Sequence, residues 1–386
     1  MRRIALFVVL ACLFAPAVAN AAEWYEKLKL KGDVRFRNEL IQQQDKKDNF
    51  RWRVRARIAA DAEINEAWSA TIGLASGSDD PVSTNQTLTG GFSRKTIMLD
   101  LAYVDFHPKQ APGLNMMAGK MRLPFETADK TQLVWDNDIT PEGVALKYKS
   151  AAGKKAEIFM NAAGFYLTDN NPDNEQWMSG GQAGFNAKPS ATVSMMAGAS
   201  YYGYHRTKGQ PGIYTPESFY GNSSMKTGTK VVSVKAGNTT LGKDTVDVFG
   251  YATDFKLIEA LAVIDVKVND KVSLRLTGDY VNNSGADSLN TAYLFGGTLN
   301  YGKDKGSMKL SANYRKVEAD AVLGLFTYSD PWGGGANGKG LELAFSYGLA
   351  KGTSFDVMYF VDTKGVKESD TGSDYNRLQA DFQVKF

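Results

Sequence analysis

The sequence predicts an all-β chain that closes into one transmembrane antiparallel β-barrel of about 16 strands. Three observations carry that prediction. Apolar and polar residues alternate with period two in segment after segment, as strands with one wet and one dry face require. Connections between these segments are alternately short and long, the layout of a barrel with tight turns at one membrane face and large loops at the other. The N-terminus has the three parts of a secretory leader.

Taken in order, the leader comes first. Arg2 and Arg3 form a basic start, residues 4–14 an apolar core, and Ala19-Asn20-Ala21 a cleavage site, so residues 1–21 read as a signal peptide and 22–386 as the barrel domain. The only cysteine, Cys12, leaves with the leader, which removes disulfide and thiol chemistry. Strands then read as 28–40, 50–64, 67–75, 95–107, 114–122, 142–149, 155–167, 180–187, 191–204, 254–268, 271–283, 291–302, 307–320, 339–349, 353–363 and 376–386. Among the clearest is the last, where Asn376, Leu378, Ala380, Phe382, Val384 and Phe386 alternate with Arg377, Gln379, Asp381, Gln383 and Lys385. Short turns fall at 65–66, 188–190, 269–270, 303–306 and 351–352, with long loops between them, the longest at 205–253. Within that loop a further hairpin, 230–236 with 246–251, would raise the count to 18.

Composition narrows the class. No apolar run beyond the leader reaches the roughly 20 residues of a membrane helix. Lys plus Arg number 45 against 42 Asp plus Glu, too balanced for a nucleic-acid binder. Aromatic residues gather near strand ends, among them Phe50, Trp52, Trp68, Phe106, 201–204, Tyr301, Tyr347 and Tyr359, as interfacial girdles would place them. The faces opposite the apolar ones carry full charges, which suits a wet lumen.

Four segments carry a resemblance: Leu101-Ala102-Tyr103-Val104-Asp105-Phe106, Ala118-Gly119-Lys120-Met121-Arg122-Leu123-Pro124-Phe125, Trp135-Asp136-Asn137-Asp138-Ile139-Thr140-Pro141-Glu142-Gly143, and the ending from Asp374-Tyr375-Asn376 to Phe386. Through them the chain resembles the putative-porin family of Gram-negative outer membranes and, more distantly, the phosphate-selective porins. The resemblance implies an outer-membrane, water-filled channel for passive diffusion of small hydrophilic solutes and ions, with a substrate-specific anion channel as the alternative. It also implies a homotrimer, contact with outer-membrane lipid and lipopolysaccharide, and a terminal Phe382, Val384 and Phe386 face read by the barrel assembly machinery.

A barrel this wide is not filled by its own wall, so function depends on what narrows and charges the lumen. Arg51, Arg53, Arg55 and Arg57 stand at spacing two, which files all four along one face of a strand. Arg35 and Arg37 on the preceding strand broaden the file, and Lys120 and Arg122 are further candidate basic lining. Facing lipid, such charges would each cost about 2–4 kcal/mol near the midplane, so they are expected to face water. The loop at about 123–141 carries Glu126, Asp129, Asp136 and Asp138 and is followed by Glu142. By chain order it is the loop that porins fold inward, so it would set acidic groups across the opening from the basic wall. Asp33, Asp61, Glu63 and Asp381 are alternative partners for the arginines.

Little supports an enzyme. Only His107 and His205 exist, and they are expected at opposite ends of the barrel as solvated residues. The run 333–340 matches G-x4-G-K but has Gly340 where Ser or Thr would hold Mg²⁺, so it reads as a flexible extracellular loop. Residues 169–175 carry oxygen ligands without EF-hand spacing. No metal or cofactor is expected.

Overall fold

A computed structural model describes residues 27–129, 131–168, 175–236, 239–366 and 372–386. The leader lies outside the described residues, as do 169–174 of the oxygen-rich loop. In chain order the strands are β1 (Leu28–Gln43), β2 (Asn49–Asn65), β3 (Trp68–Ser76), β4 (Gln86–Thr87), β5 (Ile97–Phe106), β6 (Leu114–Lys120), β7 (Glu142–Ala151), β8 (Ala156–Thr168), β9 (Gln176–Ala187), β10 (Val193–His205), β11 (Ser224–Ala236), β12 (Thr239–Tyr251), β13 (Lys256–Lys267), β14 (Val272–Asn283), β15 (Thr291–Tyr301), β16 (Met308–Val317), β17 (Gly338–Ala350), β18 (Thr353–Lys364) and β19 (Ser373–Lys385). All but β4, β11 and β12 build the wall, sixteen in number. Every pairing in the wall is antiparallel, and β1 closes the ring by pairing with both β2 and β19.

Alternation sorts each strand as the sequence requires. On β1 and β19, Val34, Phe36, Leu378 and Phe382 are exposed on the outer face, while Arg37, Glu39, Arg377 and Asp381 are buried on the inner one. Phe382 and Val384 pair with Phe36 and Val34, and Phe386 exchanges both backbone hydrogen bonds with Gly32 at 3.0 Å as the last rung of the closing seam. The turn end is joined at 66–67, 107–113, 152–155, 188–192, 268–271, 302–307 and 351–352. Four connections at the loop end matter below: L2 (77–96), L3 (121–141), L5 (206–255) and L7 (318–337).

The anticipated extra hairpin exists but does not enter the wall. Strands β11 and β12 pair only with each other, in L5, with a single bridge from Lys208 to Tyr251. Strand β9 starts earlier than expected, at Gln176, because Gln176 and Met178 turn inward while Trp177 turns out.

The apolar core lies inside the barrel. A sixteen-strand lumen is too wide for wall side chains alone, so the loops bring apolar residues of their own. Leu133 and Trp135 of L3 and Val322, Leu323 and Trp332 of L7 pack with Phe125, Phe165, Tyr202 and Phe255 in one cluster. Trp135 meets Tyr202 edge-on at 5.3 Å and stacks on Phe326 at 6.0 Å. Two expectations are corrected by this core. Tyr202 and Tyr204 are not girdle residues, since alternation leaves only Tyr201 outside. The glycine-rich run is packed and not a freely solvated loop: Ala336 is buried, and Trp332 beside it is 1 % exposed and donates its indole N–H to the Gly335 carbonyl at 2.9 Å.

Candidate functional site at the lumen constriction

Register builds the site from the seam outward. The β1–β2 ladder sets Asp33 opposite Arg57, Arg35 opposite Arg55, Arg37 opposite Arg53 and Glu39 opposite Arg51, and β19 adds Asp381 opposite Arg37. Guanidinium groups this close persist only if carboxylates interleave them. They do. Asp33 accepts from Arg55 at 2.8 Å and from Arg57 at 2.7 Å. Asp381 receives Arg37 through both oxygens at 2.7 Å, the planar fork geometry that arginine favours. Glu39, fully buried, takes Arg51 and Arg377, the latter also through Nε at 2.8 Å. Arg53 reaches Ser83 of L2 at 3.2 Å and lies 3.9 Å from Glu39. Arg35 and Arg53 are the least neutralised: Arg35 donates to Asn85 of L2 at 2.5 Å and stands 3.6 Å from Asp381, which Arg37 already occupies, as Arg51 and Arg377 occupy Glu39.

L3 folds inward and crosses the lumen, touching the wall at β7 and β9, at β14 and again at β2. Its Glu126 backbone exchanges hydrogen bonds with the Gln182 amide of β9 at 2.7 and 2.8 Å, and its carboxylate pairs with Lys149 at 2.9 Å. Asp129 meets Arg275 of β14 at 2.9 Å, and Thr131 donates to Asp279 at 3.0 Å. Asp138 returns to the basic file, accepting from Arg57 at 3.0 Å and from both the backbone and the hydroxyl of Thr84. Acidic loop and basic wall therefore meet at one contact and do not stand apart across an opening. Asp136 points away from the file, toward L7, where its carboxyl oxygens accept the backbone N–H groups of Asp138 at 2.9 Å and Ser329 at 3.0 Å. Burial and the neighbouring Asp138 raise its pKa well above the carboxylate range despite those two donors.

Two predicted members stand elsewhere. Lys120 and Glu142 pair with each other at 3.2 Å, on the alternation of exposed Met116 and Val144, which is the outer face of the wall. Arg122 bonds the Tyr103 hydroxyl at 2.8 Å and Asp61 at 3.3 Å, beside the file and not in it.

Several members escaped sequence reasoning. Glu39 and Arg377 share the inner alternation of Arg37 and Asp381, so period two was signal enough to include them. Asp330 of L7 had no such signal, yet its carboxylate lies 2.9 Å from Arg377 and 3.4 Å from Arg37. Burial alone would raise its pKa, but Arg377, Arg37 and Arg35 outweigh that and hold it far below the usual range. Arg315 of β16 pairs with Glu342 at 2.6 Å, donates to the Thr131 carbonyl of L3 at 3.0 Å and lies 4.6 Å from the Tyr328 ring centre of L7. His205 is half-buried, stacked on Trp177 at 3.7 Å with Ser179 at 3.0 Å, and His107 lies beyond β5 at the turn end.

Two cavities of about 600 and 510 Å³ flank the Arg57–Asp138 contact, sharing Arg57, Asp136, Asn137, Asp138 and Lys385 in their linings. The second reaches from Arg35, Arg55 and Asp330 to Thr277, Thr298, Ser311, Asn313 and Ser346 on β14–β17. Its lining also includes Lys309 and Lys385, which have no carboxylate within 4.0 Å among the described residues. Such an arrangement can hold water and pass polar solutes.

Comparison with solved structures places the same barrel in several outer-membrane proteins. OmpF of Salmonella typhi, solved with daunomycin, is 12 % identical over 93 % of this chain and 97 % of its own, with a TM-score of 0.54. OprB of Pseudomonas putida at high pH is 10 % identical over 94 % and 95 %, with a TM-score of 0.59. The outer membrane channel DcaP of Acinetobacter baumannii is 13 % identical over 93 % and 97 %, with a TM-score of 0.50. At such identities the likeness is one of fold. No curated protein sequence matches. The family model described as putative porin, however, matches residues 40–386, nearly the whole barrel, with Arg51, Arg53, Arg55 and Arg57, L3 and the closing strand inside the match. The chain belongs to the putative porin family.

Proposed function

We propose that this outer-membrane channel is a passive porin, admitting small hydrophilic solutes and ions through the lumen beside L3, with a preference for anions over cations. The observation that carries the reading is the 510 Å³ cavity inside a closed barrel, walled by arginines on one side and by Thr277, Thr298, Ser311, Asn313 and Ser346 on the other. None of those five side chains has a hydrogen-bond partner among the described residues, so they are available to water and to passing hydroxyl groups. The barrel would sit with its loops outward and its turns in the periplasm, as a homotrimer by likeness to general porins, with Phe382, Val384 and Phe386 as the assembly signal.

The anion preference follows from which charges are left over. Most of the file is neutralised within the wall, whereas Lys309, Lys385 and the poorly paired Arg35 remain, against Asp356, which takes only the Ser354 hydroxyl. Focused by low-dielectric walls, that excess draws anions into the lumen. Liposome swelling tests the passive reading: vesicles carrying the protein should swell in isotonic sugars and amino acids at rates that fall smoothly with solute size. Swelling restricted to one solute, saturating with its concentration, would instead support a substrate-specific channel.

A further inference from the structure

We propose that L7 is a second constriction loop and that Asp330 sets the size limit of the channel by tying the lumen edge of L7 to the seam of the wall. This rests on the channel reading above. L7 contributes Tyr328, Ser329 and Asp330 to the same cavity that L3 narrows. The two loops run as one body: Asp136 N–H donates to the Phe326 carbonyl at 2.7 Å, Thr327 to the Leu133 carbonyl at 2.8 Å, and Ser329 N–H to the Asp136 carboxyl at 3.0 Å.

The back of L7 is held by apolar packing, with Val322, Leu323 and Trp332 each at most 1 % exposed. Its lumen edge is held differently. There the Asp330 carboxylate meets Arg377 and Arg37, its carbonyl accepts from Arg377 at 2.9 Å, and Arg315 grips both loops at once through the Thr131 carbonyl and the Tyr328 ring. These charge contacts, and not the apolar core, fix how far the edge projects into the opening. Asp330→Asn removes one carboxylate charge yet leaves Arg37 on Asp381 and Arg377 on Glu39, so the wall keeps its own pairs.

Single-channel recording with polyethylene glycols of graded size reads the outcome. Asp330→Asn is expected to raise conductance roughly 1.5-fold or more and to admit larger polymers, because a charged tie at the constriction has been released. Arg315→Lys, which keeps a charge beside Glu342 but shortens the reach to Thr131 and Tyr328, is expected to act in the same direction and serves if Asp330→Asn does not assemble. Asp270→Asn, at a turn remote from the lumen, is the control. Conductance and polymer cut-off indistinguishable from wild type in an assembled variant would overturn the role of Asp330 while leaving the channel reading intact. A wild-type barrel that passes no current would overturn the channel reading itself.

Discussion

Asp33 illustrates how the site is built at the scale of single residues. One carboxylate serves two arginines of the next strand, and the same economy recurs at Glu39, Asp330 and Asp381. Pairs this buried contribute little net stability over an apolar equivalent but strongly penalise any alternative register, since a shift of one residue would strand several charges. The arginine file was legible because spacing two leaves no other geometry for four charges on one strand. Its strand partners Asp33 and Asp381 were legible through that alternation and Asp138 through the inward-folding loop that the resemblance implies; Asp330 comes from a loop that carries neither signal. Asp136 carries a pH prediction. With its pKa raised by burial and Asp138, it supports the L3–L7 contact fully below the ordinary Asp pKa, and that support is lost as pH rises through the raised value. Current noise should therefore grow toward alkaline pH, and Asp136→Asn, which keeps an acceptor oxygen without the charge, should abolish that trend. Equal pH dependence in the two proteins would refute this role for Asp136.

Among the elements, the seam between β1 and β19 is the most demanding. A Cβ on Gly32 would lie 2.5 Å from both the Arg57 carbonyl and the Phe386 ring, so glycine is required where the terminal ring crosses the first strand. Gly32→Val should cost about 1–3 kcal/mol of overpacking, read as a lower temperature for conversion of the compact band to the unfolded one in gel-shift melting. An unchanged midpoint would show that the ring yields freely. The β11–β12 hairpin makes the opposite prediction: because it pairs with no wall strand, replacing 227–247 by a short glycine-serine link should leave assembly and conductance as in wild type. Strands were legible because a half-wet wall forces period two. Loops L3 and L7 were legible as loops but not as core, although Leu133-Val134-Trp135 and Val322-Leu323-Gly324-Leu325-Phe326 are too apolar for solvated segments. L3 was expected inside the barrel through the resemblance alone; what hid the role of L7 is that nothing in a local pattern tells an apolar loop to turn into a lumen and not against a neighbour.

For the whole molecule, near-balanced charge is a matter of arrangement. Arginines fill the inner faces of β1 and β2, their carboxylates come from β1, β19, L3 and L7, and the unpaired lysines line the cavity. A low mean hydropathy, which excludes membrane helices, is what a barrel with a dry outside and a wet, charged inside requires. The central claim is that this lumen is an open aqueous path whose leftover positive charge faces the permeating ions. The most direct test is the zero-current potential across a KCl gradient in planar bilayers, for wild type and for Lys309→Gln/Lys385→Gln. Wild type should conduct ohmically with a potential on the anion-selective side, and the double variant should shift toward cation selectivity. An identical potential in the two proteins, or a cation-selective wild type, would contradict the account.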